Sequence, residues 1–121
     1  MIRQVTQGKD LVALNCPLIM ERSEAVDVTG VQLFLHDYEK KLADAPLRSS
    51  RFTIQPHCGT CEDRHAVHEI WFVSRGTLDI CYDGAWYEIT AGQAVFFQPW
   101  KSHRANNTRD TEVQVISVWW E

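Results

Sequence analysis

Short apolar runs, each closed by a turn signal, follow one another from about residue 51 to the end of the sequence. The breaks recur about every 8 to 12 residues, a spacing typical of a β-sandwich or a closed barrel rather than a helical bundle. Six strands are predicted in this part of the chain: Arg51–His57, His65–Val73, Thr77–Tyr82, Ala85–Thr90, Gln93–Gln98 and Thr111–Trp120. The pattern therefore predicts an all-β domain.

The dipeptide Asp83-Gly84 predicts a two-residue hairpin turn, because it readily supplies the positive φ angles of a type I′ turn. Such a turn fixes the register, with Tyr82 opposite Ala85 and every second pair on the same side. One side of the hairpin is apolar and is expected to face the core. The other side sets Asp79 opposite Glu88, and such like charges need water or a counter-charge, so we expect it to face outward.

The final run is apolar on both faces near its end, where Val118, Trp119 and Trp120 follow one another. A strand of this kind is either buried on both sides or part of a contact between subunits. We therefore expect the protein to form a homodimer.

The first fifty residues carry weaker signals. Val31–Leu35 is predicted to be a strand, Asp10–Leu14 is a further candidate strand, and Asp37–Asp44 is predicted to form one or two helical turns that end before Pro46. A length of 121 residues suits a single domain, 1–121. In this interpretation residues 1–50 supply N-terminal strands and a dimer contact, and residues 51–120 supply the core.

Composition and charge narrow the classes of partner. The net charge is −4 and the twelve lysines and arginines are scattered, so no basic stripe is available to bind nucleic acid. No apolar run approaches the roughly 18 residues that cross a bilayer, and the first residues lack the basic-then-apolar layout of a secretory signal. We therefore predict a cytoplasmic protein whose partner is a small-molecule substrate, with no nucleic acid and no membrane.

The four cysteines are predicted to be thiols or metal ligands rather than disulfides, because no export signal is recognised. Cys16 and Cys81 are expected to be small buried residues. The segment Cys58-Gly59-Thr60-Cys61, with His57 and His65, has ligand types and spacings that zinc accepts, so a structural zinc site is one hypothesis. The other is a loop with two thiols near the barrel mouth. A redox role is not favoured, since no helix start follows the pair.

A set of possible metal ligands lies in the middle and near the end of the sequence. In a strand, residues an even number of positions apart face the same side, so Asp63, His65 and Glu69 are predicted to share one surface. His103, directly after the turn at Pro99, is the natural partner from another strand. Two imidazoles and a carboxylate with open positions hold non-haem iron and are compatible with manganese, zinc, nickel or cobalt. We therefore predict one divalent metal ion.

The same stretch resembles the two motifs of the cupin superfamily. The first motif is His-x-His, three or four residues, Glu, six residues and Gly; the second is Gly, a short spacer, Pro-x-Gly, two residues, His, three residues and Asn. The corresponding positions here are Asp63, His65, Glu69, Gly76, Gly92, Pro99, His103 and Asn107. The chain is thus similar to a small single-domain cupin. The resemblance implies an antiparallel β-barrel of the jelly-roll type, with both motifs in residues 51–120.

Two departures from the family pattern affect the predicted site. Asp63 stands where the family usually has its first histidine, so it is either a fourth ligand or a carboxylate that accepts bonds from backbone amides. The loop before His103 lacks the usual glycine, which predicts a different shape at the barrel mouth. In this loop we predict that Trp100 and Lys101 bind the substrate, as an aromatic wall and a cation for an anionic or sugar-like ligand.

The resemblance and the ligand set together predict a metal-dependent enzyme that acts on a small polar metabolite. An ion held by His65, Glu69 and His103 would polarise a carbonyl or hydroxyl for isomerase, lyase or cyclase chemistry. Asp63, if it does not bind the ion, is placed to move a proton, so Asp63 and Glu69 are the predicted catalytic residues. The alternatives are an iron-dependent dioxygenase and a non-catalytic small-molecule-binding cupin.

Overall fold

Antiparallel strands form the regular structure of the described residues. A computed structural model describes residues 21–36 and 45–121. No helix long and apolar enough to cross a membrane occurs in those two ranges. In chain order their strands are β1 (Glu21–Glu24), β2 (Val31–His36), β3 (Arg48–Ile54), β4 (His68–Arg75), β5 (Thr77–Tyr82), β6 (Ala85–Thr90), β7 (Ala94–Phe97), β8 (His103–Asn106) and β9 (Val113–Trp120).

The strands form two sheets with the core between them. The larger sheet has the order β1-β2-β3-β9-β4-β7 and the smaller one β6-β5-β8. Strand β9 therefore lies in the middle of the larger sheet, paired with both β3 and β4. The buried core draws on both sheets: Phe52, Ile54, Trp71, Val73, Leu78, Ile80, Phe97, Ala105, Val113 and Val115. This arrangement is the all-β, jelly-roll type of barrel that the sequence predicts.

The hairpin of β5 and β6 has the predicted turn and register. Asp83 and Gly84 have φ angles of 49° and 87°, as a type I′ turn requires. Asp79 pairs with Glu88 across the two strands. The counter-charge comes from Arg109, whose guanidinium nitrogens lie 2.9 Å from Asp79 Oδ1 and 3.1 Å from Glu88 Oε1. The like charges are therefore tolerated because an arginine from a distant loop joins them.

The predicted strand His65–Val73 needs correction at its start. Strand β4 begins only at His68, because the chain bends at Ala66 and Val67. The bend brings the backbone carbonyl of Val67 within 3.0 Å of His65 Nδ1. His65 therefore lies in the loop before β4 and not on the strand.

Other boundaries also differ from the prediction. Strand β3 begins and ends three residues earlier than the predicted strand Arg51–His57, and β1 and β8 were not predicted. Strand β8 is short, and its exposed Arg104 interrupts any apolar run. The candidate strand at 10–14, the candidate helical turns at 37–44 and Cys16 lie outside the described residues.

Candidate metal centre

Three separate elements bring the predicted ligands together. Glu69 is on β4 and faces the barrel interior, and His103 is the first residue of β8 and is buried. Two backbone hydrogen bonds join Asp63 to His103, with N···O distances of 2.9 and 3.0 Å. This bridge holds the loop that carries Asp63 and His65 against the start of β8. The loop therefore positions His65 beside His103 without any help from strand alternation.

The two imidazoles converge on one carboxylate oxygen. His65 Nε2 lies 2.9 Å from Glu69 Oε1, and His103 Nε2 lies 3.3 Å from the same atom. The two imidazole rings are 5.0 Å apart and inclined at 69° to each other. Three potential ligand atoms thus surround a common centre inside the barrel.

Asp63 lies at the exposed edge of this centre. Asp63, His65 and His103 each offer one ligand atom, and these three atoms lie within 4.8 Å of one another. Asp63 Oδ1 also accepts a hydrogen bond from the backbone amide of Arg64, at 2.7 Å. The geometry is therefore compatible with both predicted roles of Asp63, a ligand and a carboxylate bonded to the backbone.

The environment of Glu69 keeps it ionised. Burial raises the pKa of this carboxyl, but contacts from His103, Ser117, Trp71 and His65 outweigh burial and lower the pKa to about 2. Its second oxygen, Oε2, accepts hydrogen bonds from Trp71 Nε1 at 3.0 Å and from Ser117 Oγ at 2.5 Å. Sequence reasoning missed Trp71 and Ser117, although a serine within the apolar strand β9 was a usable signal.

The two histidines differ in how their other nitrogen is held. His65 Nδ1 lies 3.0 Å from the carbonyl oxygen of Val67. His103 Nδ1 is buried and has no hydrogen-bond partner in the described part of the chain. Its ring is held instead by stacking on Phe97, with centroids 4.3 Å apart, and by an edge contact with Trp71. The orientation of His65 is thus set by a hydrogen bond and that of His103 by packing.

The loop before His103 forms a tight turn next to the centre. Lys101 N bonds to Gln98 O at 3.3 Å, Pro99 occupies the second position, and Trp100 has a φ of 66°. These features define a type II turn, in which glycine is the usual residue at the third position. Trp100 N donates to the carbonyl of His65 at 2.8 Å, and Trp100 is 59% exposed. The backbone of Trp100 is therefore joined to that of His65, and the indole is largely exposed.

Lys101 is paired with a carboxylate that is not part of this centre. Its Nζ lies 3.3 Å from Asp83 Oδ2 in the β5–β6 turn, and both side chains are about half exposed. The pairing connects two loops at the surface. This ion pair does not support the predicted role of Lys101 in binding substrate.

The structure does not assemble the alternative zinc site. His57 Nε2 pairs with Asp110 Oδ1 at 2.9 Å, and Cys61 is exposed. Cys58 packs so closely against Gly30 that a Cβ atom at position 30 would overlap the Cys58 sulfur. Among the described residues, Cys58 and Cys61 belong to no group of His, Cys, Asp and Glu side chains close enough to hold an ion, whereas Asp63, His65 and His103 form such a group. Glu69 adjoins that group through its contacts with the two histidines.

Two further polar residues, His68 and Asn107, have partners outside the candidate centre. His68 faces away from Glu69, as strand alternation predicts, and its ring stacks on Trp120 with centroids 5.5 Å apart. Asn107 is buried, and its amide nitrogen donates to the carbonyls of Ile54 and Thr111. Its side chain therefore bonds to the backbone of two other segments.

Comparison with known proteins gives the same fold. A predicted oxalate decarboxylase from Thermotoga maritima is 19% identical with a TM-score of 0.70, over 85% of this chain and 93% of its own. A Cupin 2 conserved barrel domain protein from Salinispora arenicola is 24% identical with a TM-score of 0.70, over 81% of this chain and 87% of its own. The polyketide cyclase RemF from Streptomyces resistomycificus is 15% identical with a TM-score of 0.72, over 99% of this chain and 80% of its own.

The sequence itself also matches a family model. The cupin domain model (Cupin_2) aligns with residues 50–119, which is more than half of the chain and includes all the residues of the candidate metal centre. This stretch also contains strands β4 to β8 and most of β3 and β9. The chain therefore belongs to the cupin domain family.

Proposed function

We propose that this cupin is a metal-dependent enzyme acting on a small polar metabolite, with His65, Glu69 and His103 as ligands of one divalent ion. The observation that carries the proposal is the hydrogen bond between His65 Nδ1 and the carbonyl of Val67. A carbonyl oxygen only accepts, so the proton of a neutral His65 is on Nδ1 and the lone pair is on Nε2. That lone pair faces Glu69 Oε1 at 2.9 Å.

Two acceptors at this distance repel each other unless a positive charge lies between them. A proton or a metal ion would supply that charge, and the second imidazole nearby favours the metal. With metal–ligand bonds of about 2.0 to 2.2 Å, neighbouring ligand atoms lie roughly 3 Å apart. The distances of 2.9 and 3.3 Å from Glu69 Oε1 to the two imidazole nitrogens agree with that spacing. Iron, manganese, zinc, nickel and cobalt all suit this donor set.

The surrounding residues suit an enzyme that polarises its substrate. A bound divalent ion would supply Lewis acidity towards a carbonyl or hydroxyl group. Asp63 is exposed at the edge of the centre, where its carboxylate has access both to a substrate proton and to solvent. Trp100 is exposed in the turn that is hydrogen-bonded to His65, where its indole would serve as an aromatic wall for the substrate. Isomerase, lyase or cyclase chemistry fits this arrangement, and the similar structures include a polyketide cyclase and a predicted decarboxylase.

An iron-dependent dioxygenase is the second candidate function. Two imidazoles and one carboxylate leave coordination positions open, as such chemistry requires. Oxygen consumption by the protein loaded with Fe²⁺, in the presence of substrate, would favour this candidate. A non-catalytic binding cupin is the third, and it predicts that no metal is retained at any pH.

The first test is metal binding by His103→Ala. We expect the native protein to bind about one equivalent of metal. Loss of a residue that only supports a ligand typically weakens metal binding by roughly 10- to 100-fold. Because His103 is a proposed ligand itself, we expect the variant to lose more affinity than that. His68→Ala is the matched control, because His68 lies on the opposite face of β4. Elemental analysis and calorimetric titration give the stoichiometry and the affinity. Stoichiometric metal in His103→Ala would contradict the ligand assignment.

We also propose that the protein acts as a homodimer. The outer face of the larger sheet carries large exposed side chains from two adjacent strands, Phe72 at 44% and Phe96 at 47% exposure. Next to them the rings of His68, Phe96 and Trp120 stack on one another. An apolar surface of this kind favours contact with a second copy.

A further inference from the structure

The two oxygens of Glu69 have different surroundings. Oε1 faces the two imidazoles, whereas Oε2 accepts one hydrogen bond from Trp71 Nε1 and one from Ser117 Oγ. We call Trp71 and Ser117 the Glu69 clamp. Both clamp residues are buried, at 5% and 2% exposure, and the Glu69 side chain is 13% exposed. Water therefore has little access to this carboxylate, and the clamp fixes which oxygen is directed at the ion.

The clamp is rigid because it is a single cross-strand pair. Trp71 on β4 and Ser117 on β9 are directly opposite each other in the register of the larger sheet, and both face inward. The indole is held by edge contacts with Phe52 and Phe97, with ring centroids 5.1 and 4.9 Å apart. The two donors are thus positioned by the core and not by mobile surface groups.

Ser117 has no evident role in packing alone. The other inward positions that precede it on β9, Val113 and Val115, are fully buried aliphatic residues. A buried hydroxyl is costly unless it makes a hydrogen bond. In the described part of the chain, the partner of this hydroxyl is Glu69 Oε2. A serine at this position therefore makes sense as part of the metal centre.

We propose that Trp71 and Ser117 are positioning residues that reserve Oε2 of Glu69, so that the carboxylate presents only Oε1 to the ion. This inference rests on the proposed metal centre and adds two residues to it. The carboxylate then cannot rotate or bind the ion through both oxygens. Outer-shell partners of this kind typically change metal affinity by about 10- to 100-fold.

The experiment uses Zn²⁺ as a diamagnetic probe on the full chain. Ser117→Ala and Trp71→Phe each remove one donor, and we expect each to weaken zinc binding by about 10- to 100-fold. Ser50→Ala is the matched control, because Ser50 is a buried serine opposite Ser117 on the neighbouring strand β3. Ser117→Thr keeps the hydroxyl and should restore most of the affinity. Melting curves of the metal-free variants separate loss of folding from loss of affinity.

A second readout follows the Trp71 indole proton by NMR, with Trp71→Phe used to assign its signal. We expect this signal to keep its hydrogen-bonded shift and its slow exchange as zinc binds, because Oε2 stays with the clamp. Loss of that bond on zinc binding, or native zinc affinity in folded Ser117→Ala and Trp71→Phe, would overturn the clamp alone. If the native protein itself takes up no metal, the proposed function fails, and this inference fails with it.

Discussion

Glu69 shows at the scale of one residue how a buried charge is kept ionised. Its folded pKa of about 2 lies below the value of 4.5 for a free carboxyl. The unfolded chain therefore takes up this proton first, so the stabilisation is complete above pH 4.5 and is lost as the pH falls towards 2. For the metal-free protein we expect a loss of roughly 3 kcal/mol over this range. Urea denaturation at several pH values measures it, and Glu69→Gln should lack this component.

Parallel pH profiles for the native protein and Glu69→Gln would contradict this assignment.

The three proposed ligands could be chosen from the sequence, because the spacing of Glu69, His65 and His103 resembles two known motifs. The physical reason given for His65 was wrong, since a bend, not strand alternation, brings it to the centre. Trp71 could not be chosen, because it sits in an apolar run. Ser117 was marked only as a serine within an apolar strand, and its partner depends on a register between distant strands.

The turn Gln98–Lys101 is the element that shapes the mouth of the barrel. Trp100 occupies the position with positive φ, where a residue with a side chain is strained and glycine is not. Trp100→Ala and Trp100→Gly both remove the indole, but only glycine relieves the strain. We expect Trp100→Gly to be about 1 kcal/mol more stable than Trp100→Ala, as measured by urea denaturation. Both should lose substrate binding equally if the indole forms the wall of the site.

Equal stability of the two variants would show that the turn is not strained.

Some strands and turns could be predicted from the sequence and others could not. The Asp83-Gly84 turn set its own hairpin register because a two-residue loop determines it locally. The ion pair of Arg109 with Asp79 could not be predicted, because thirty residues separate the partners. Strand β8 was missed because three of its four side chains are polar, so the sequence shows no apolar run there.

In residues 21–36 and 45–121, the outer face of the larger sheet exposes the aromatic side chains of Phe72 and Phe96. The sequence predicted a second copy from the apolar end of β9, and the structure places Trp119 and Trp120 at successive positions on that strand. Trp119 pairs with Glu69 and Trp120 with His68, so the two side chains lie on opposite faces of the sheet. The overall fold was predictable because the turn spacing and the motif order agree. The use of the outer face depends on a partner and therefore stays a prediction.

A homodimer through this face should depend on Phe72 and Phe96. Stable interfaces bury about 800 Å² on each partner, and aromatic side chains contribute much of their binding energy. We expect the native protein to elute as a dimer, with its mass measured by light scattering over a range of concentrations. Replacing Phe72 and Phe96 with glutamate should produce a folded monomer, because a dimer would have to bury the new charges. Trp86→Glu is the control, since Trp86 is 48% exposed on the smaller sheet. A native monomer at every concentration, or an equal effect of Trp86→Glu, would show that this face does not mediate dimerisation.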